Sequence, residues 1–111
     1  MLSKVWLVNL TVGTEISKTR PCVIVNDNAI GILPLKVIVP ITDWKGRYAA
    51  RSWMVSLDIT SKNGLTKLSA VDTFQIRSVS ETRLIRKLGH LPDSDIPLVS
   101  QALATVLSLR E

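Results

Sequence analysis

Between residues 5 and 72 the apolar runs are short, rich in Val and Ile, and repeatedly cut by Gly, Pro, Asn and Asp. β-branched side chains fit a pleated, half-buried surface and the intervening residues supply reversals, so this stretch is predicted to fold as strands and turns. Strands are expected over residues 5–9, 22–26, 35–41, 53–57 and 69–76. Strands this short and closely spaced build a small, strongly curved antiparallel sheet.

Asn63-Gly64 reads as a tight reversal, because both residue types tolerate positive φ. In "SVSETRLIRKLGHL", Ser80 can cap, Leu84 and Leu88 stand four apart and Gly89 can end a turn, which predicts a short helix. In "DSDIPLVSQALATVLSLRE", Ile96, Val99, Leu103 and Val106 mark one helical face behind the capping candidates Asp93, Ser94 and Asp95, with Pro97 in the first turn where proline is tolerated. The expectation is one mainly β domain of the α+β class spanning residues 1–111: a small, curved antiparallel sheet with short helices, one of them C-terminal.

Fourteen Lys and Arg against nine Asp and Glu give a formal charge of +5, a balance that suits a polyanion such as nucleic acid and also serves solubility. Cys22 is the sole cysteine and His90 the sole histidine, so neither an intramolecular disulfide, a thiolate metal cluster nor a histidine pair can be built. No phosphate-binding glycine loop or nucleophile elbow is present, and no cofactor or metal is expected. The longest apolar runs are broken by Pro34, Lys36 and Pro40, and no secretory leader is evident, so a soluble, cytoplasmic protein is expected. Any catalysis must come from Arg, Thr, Glu, Lys or Asp.

The stretch "GTEISKTRPCVIVND" places Glu15, Lys18 and Arg20 at the entrance of a strand that begins with Pro21. A solvated loop with an Arg-Glu ion pair would account for it. The strand "KVIVPIT" ends in Thr42, and if it runs antiparallel beside the Cys22 strand, Thr42 comes near Arg20. That pair suits RNA cleavage through the substrate's own 2′-OH, which needs phosphate neutralisation, in-line positioning and proton movement but no enzyme nucleophile. Arg offers a permanently charged fork to phosphate oxygens, Thr42 a hydrogen bond, and Glu15 a partner for Arg20 or a proton acceptor.

With "VWLVNL", "VGTEISKTRPCVIVND", "LKVIVPIT" and "SAVDTFQIRSVSETRLIRKLGHL" in this order, the chain resembles the MazF/PemK family of toxin endoribonucleases. The resemblance implies a compact, SH3-like curved antiparallel barrel with appended helices, forming a homodimer that cleaves single-stranded RNA without metal, leaving a 2′,3′-cyclic phosphate and a 5′-OH, and that a cognate antitoxin protein neutralises. Carried over by motif, Arg20 stabilises the phosphate and delivers a proton, Thr42 orients the substrate and Glu15 assists, while Gln75 and Arg77 of "QIRS" also match family positions, either as RNA contacts or as a hydrogen-bonded structural pair. The first loop is shorter than the family's. Asp72 and Phe74 stand where one branch of the family keeps an arginine and an aspartate, so that branch's mechanism does not carry over.

Aromatic and basic residues also interleave in "TDWKGRYAARS", where Trp44, Tyr48, Lys45, Arg47 and Arg51 suggest single-strand contact or, equally, a solvated mobile loop; Lys18 at the strand entrance is a further candidate RNA contact. Trp6, inside a strand, is expected to serve packing. The alternative function is a non-cleaving binding module of the same fold, either a gyrase inhibitor of the CcdB type or an inactive RNA-binding remnant.

Overall fold

The computed structural model describes residues 4–13, 18–27 and 33–109. The strands are β1 (Lys4–Asn9), β2 (Thr19–Ile24), β3 (Leu35–Asp43), β4 (Met54–Leu57), β5 (Ser69–Asp72), β6 (Arg77–Ser80) and β7 (Leu84–His90), followed by the helix α1 (Ile96–Val106). One-turn 3-10 helices occupy Gly46–Ala50, Thr73–Gln75 and Glu81–Arg83. Adjacent strands are antiparallel along the order β4-β5-β3-β2-β1-β7, an open path with β4 and β7 at its ends.

β3 bends the sheet. Its first half, Leu35 to Ile38, pairs with β6, while Ile41 to Asp43 pairs with β5, so one strand belongs to two differently oriented halves. Alternating side chains on β2 and β3 then feed two cores. Val23, Val39 and Ile41 join Val55, Leu57, Val71 and the α1 residues Val99, Ala102 and Leu103. Cys22, Ile24 and Ile38 face the other way and join Val8, Leu10 and Val79, with Trp6 and Leu84 packed alongside. Fully burying a side chain of Val or Ile size contributes about 1.5–3 kcal/mol, which fixes the register of both strands.

The five predicted strands form, with shifted ends. β2 starts at Thr19, three residues before its predicted Cys22, and β3 runs on to Asp43. The strand expected to reach Ile76 stops at Asp72, whose carboxylate accepts the Phe74 N–H at 3.2 Å and opens the Thr73–Gln75 turn. α1 lies where its periodicity indicated, with Val99 and Leu103 buried and Pro97 in the first turn.

The short helix predicted over "SVSETRLIRKLGHL" is a correction: it is β6, one 3-10 turn and β7. Ser80 does cap, accepting the Thr82 N–H, but only for the single turn Glu81–Arg83. A spacing of four puts Leu84 and Leu88 on one side of a helix and equally on one side of a strand, and pairing with β1 decides for the strand. Gly89 is accordingly no helix stop. It lies within β7, where a Cβ would run into the Lys62 carbonyl and Asn63 backbone.

Asn63-Gly64 does reverse the chain, although only Gly64 has positive φ (+71°). Asn63 is there for another reason: its fully buried amide accepts from the N–H groups of Thr60 and Leu65 and donates to the Asp58 carbonyl. β1 is internal to the sheet between β2 and β7, so it is not an exposed apolar edge. No helix among the described residues is long and apolar enough to cross a membrane.

Candidate functional site

The face that carries the smaller core continues beyond it as polar side chains. On β2 the row Ile24, Cys22 ends in Arg20; on β3 the row Ile38, Pro40 ends in Thr42; on β6 Val79 is followed by Arg77. Cys22 lies opposite Pro40 in the β2/β3 register, so the same pairing two residues on brings Arg20 to Thr42. The Arg20 Nη1 lies 3.5 Å from the Thr42 Oγ1, at the limit of a hydrogen bond, in a part-buried setting. Two central strands therefore present a charged fork and a hydroxyl from a rigid sheet.

Around this pair opens a groove of about 270 Å³, lined by Lys18, Arg20, Thr42, Tyr48, Asp72, Gln75 and Arg77 over an apolar floor of Leu10, Val12 and Pro40. A second recess of about 450 Å³ starts from the same Arg20 and Thr42 and extends past Gly64 and Leu65 to Lys67, which holds Asp43 in an exposed ion pair at 3.0 Å. Among the described residues that line the first groove, Lys18, Arg20 and Arg77 outnumber Asp72. An anion entering it meets fixed positive charge.

The rim is held by local bonds. Leu10 N–H donates to the Lys18 carbonyl at 2.7 Å, Lys18 N–H to the Thr11 hydroxyl at 2.8 Å, and the Arg83 guanidinium to the Thr11 carbonyl at 2.6 Å. These set Lys18 at the mouth. Beneath Arg20, the Cys22 thiol donates to the Arg20 carbonyl at 3.6 Å. Burial pushes that thiol from 9.0 up to about 12, against the opposing influence of the Arg77 and Arg20 charges. The cysteine is core, held in its neutral form.

Of the residues singled out in the sequence, Lys18, Arg20, Thr42, Gln75 and Arg77 line one groove. Trp44 and Arg47 reach it only through Tyr48: the Trp44 ring meets the Tyr48 ring edge-on at 5.9 Å, and the Arg47 guanidinium lies 5.3 Å from the Tyr48 ring centre. Lys45 is exposed on the same turn, its carbonyl accepting the Tyr48 N–H. Glu15 lies outside the described residues. Sequence reasoning noted Asp72 only as a departure from one family branch, without placing it in the groove, and passed over the positioning residue Arg83. An aspartate directly ahead of "TFQ" is a turn-opening signal that could have flagged the first, whereas Arg83 meets residues about seventy positions away and leaves no local trace.

The same architecture occurs in solved toxin structures. An endoribonuclease in complex with its cognate antitoxin from a mycobacterial species superposes with a TM-score of 0.79 at 23% identity, covering 100% of this chain and 97% of that one. Mycobacterium tuberculosis toxin MazF-mt6 gives 0.79 at 23% identity over 97% and 99% of the two chains. A chain of a MazE-MazF crystal structure from Deinococcus radiodurans gives 0.72 at 21% identity over 97% and 94%. A search of curated protein sequences gave no significant match. The chain belongs to the PemK-like, MazF-like toxins of type II toxin-antitoxin systems, whose family model matches residues 3–107.

Proposed function

We propose that this toxin is a metal-independent endoribonuclease that cleaves single-stranded RNA by attack of the substrate's 2′-OH on the adjacent phosphorus, giving a 2′,3′-cyclic phosphate and a 5′-OH. The observation that carries the reading is Arg20 beside Thr42 at 3.5 Å in a groove that also presents Lys18, Gln75 and Arg77. In this reading Arg20 binds the scissile phosphate, neutralises charge that grows as the P–O bonds exchange, and hands a proton to the departing 5′-oxygen. Thr42 orients a non-bridging oxygen. Lys18 and Arg77 hold the neighbouring phosphates, Gln75 offers an amide to a base edge, and Glu15 assists Arg20 or accepts a proton.

Since sheet backbone holds both Arg20 and Thr42, the reacting phosphate is what adapts, and little reorganisation is left to the protein at the moment of reaction. The protein acts as a homodimer in this reading, and a cognate antitoxin silences it; an antitoxin accompanies the mycobacterial endoribonuclease of the same fold.

The test is incubation of the purified protein with long mixed-sequence single-stranded RNA in EDTA, beside Arg20→Ala and Thr42→Val, with fragment ends analysed. Discrete cuts ending in cyclic phosphate, reduced at least a hundredfold in Arg20→Ala with an unchanged melting curve, are the expected result. Wild-type rates in Arg20→Ala would overturn the mechanism.

A further inference from the structure

One wall of the groove continues outward as a line of alternating rings and guanidinium groups that the reaction does not use. The Arg51 guanidinium lies 5.4 Å from the Tyr48 ring centre and 5.8 Å from that of Trp53, and the Trp53 ring meets Phe74 at 5.9 Å with 63° between planes. The inner end, Tyr48, is buried and lines the groove; the outer end, Phe74, is 67% exposed. Phe74 is also the middle of the Thr73–Gln75 turn, so its neighbour Gln75 and the turn's cap Asp72 both line the groove.

Backbone bonds fix each member. Arg51 N–H donates to the Tyr48 carbonyl at 3.0 Å and Met54 N–H to the Arg51 carbonyl at 3.1 Å. Buried Thr73 grips the Trp53 carbonyl twice, from its N–H at 3.1 Å and its hydroxyl at 2.7 Å. The Asp72 carboxylate accepts the Phe74 N–H and so helps to hold the turn.

We propose that Arg51, Trp53 and Phe74 form a stacking platform for the unpaired bases that flank the scissile step, extending the single-strand path from the groove across Tyr48 to Phe74. The inference rests on the nuclease reading and adds to it a binding segment outside the reacting centre. A single strand is the occupant these groups suit, because an open ring face accepts any base while the adjacent guanidinium meets the phosphate between bases. Continuity with the groove gives the strand its direction.

The experiment measures, by fluorescence anisotropy at constant salt, the affinity of the full-length protein for labelled 2′-O-methyl oligonucleotides, which bind without being able to form the cyclic phosphate. One probe is a trinucleotide and the other is on the order of ten nucleotides long. Phe74→Ala is expected to weaken the long probe on the order of tenfold, Arg51→Gln comparably, and Phe74→Tyr less than about twofold, with the loss confined to the long probe. Equal loss on the trinucleotide would mean that Phe74 serves only to shape the Asp72–Gln75 segment, and the platform would fall. If the wild type binds and cuts RNA while Phe74→Ala matches it on the long probe, the platform also falls, the nuclease reading stands, and the exposed rings belong to a protein partner. A wild type that neither binds the long probe nor cuts RNA overturns both.

Discussion

Replacing Asn63 by Ala removes three hydrogen bonds from a position with no solvent exposure. The amide oxygen accepts from Thr60 N–H at 3.3 Å and Leu65 N–H at 3.1 Å, and the amide nitrogen donates to the Asp58 carbonyl at 2.8 Å. At about 0.5–1.5 kcal/mol net for each bond, the loss sums to roughly 3 kcal/mol. Leaving the Leu65 N–H dry adds to it, while Thr60 on the half-exposed side can turn to water. Against a typical total of about 5–15 kcal/mol this is a large fraction, and it lowers the melting temperature on the order of 10 °C. The assay is denaturant or thermal unfolding at fixed protein concentration, since self-association shifts apparent stability. Thr60→Ala, which deletes the acceptor for the Lys62 and Asn63 N–H groups at the outer side of the same turn, is expected to cost about a third as much. A loss below about 1 kcal/mol in Asn63→Ala would show that water replaces the amide and that the turn does not depend on it.

Gly89→Ala forces a Cβ against the Lys62 and Asn63 backbone and is expected to cost more than about 2 kcal/mol in unfolding experiments, whereas Gly46→Ala, with open space at its Cβ, stays within about 0.5 kcal/mol. The Cys22 thiol, raised to about 12, resists iodoacetamide in the folded protein at pH 8 to 9 and reacts on unfolding; because its folded pKa is the higher one, its contribution is full below the unfolded value and is lost as pH rises towards 12, a decline in alkaline melts that Cys22→Ala should lack. Desolvation, with Asp58 adding repulsion, raises the Asp95 carboxyl, so its neutral form is the one the fold favours; Asp95→Asn should stabilise the protein at neutral pH and the gain should vanish in acid below the ordinary carboxyl range, checked by melts at both pH values.

Where a residue's reason for being is local, the sequence announced it. Val23, Val39 and Ile41 are alternate positions of β-branched runs, and Val99 and Leu103 repeat at helical spacing, so two central strands and α1 could be read off directly. Arg20 and Thr42 were readable as a pair only on the condition that their strands be antiparallel neighbours, and the β2/β3 register met that condition. Leu84 and Leu88 carried a spacing that helix and strand share, and the sequence held nothing to break the tie. The β7 assignment came from β1, about eighty residues away, offering an edge with unmet backbone groups.

The sequence by itself determined a β-rich chain with a basic excess, a sole cysteine at the head of a predicted strand and the charged strand entrance at Arg20. Tertiary structure alone decided that Asn63 is a buried bracket and Gly89 a point of backbone contact. It also decided that Asp72 shares a groove with Arg20, and that Trp53 and Phe74, twenty-one residues apart, stand ring to ring. The physical reason is the same in each case. Periodicity records which side of a strand a residue faces, while the partner it meets there is set by how distant strands register against one another and by the bend of β3 between the two halves of the sheet.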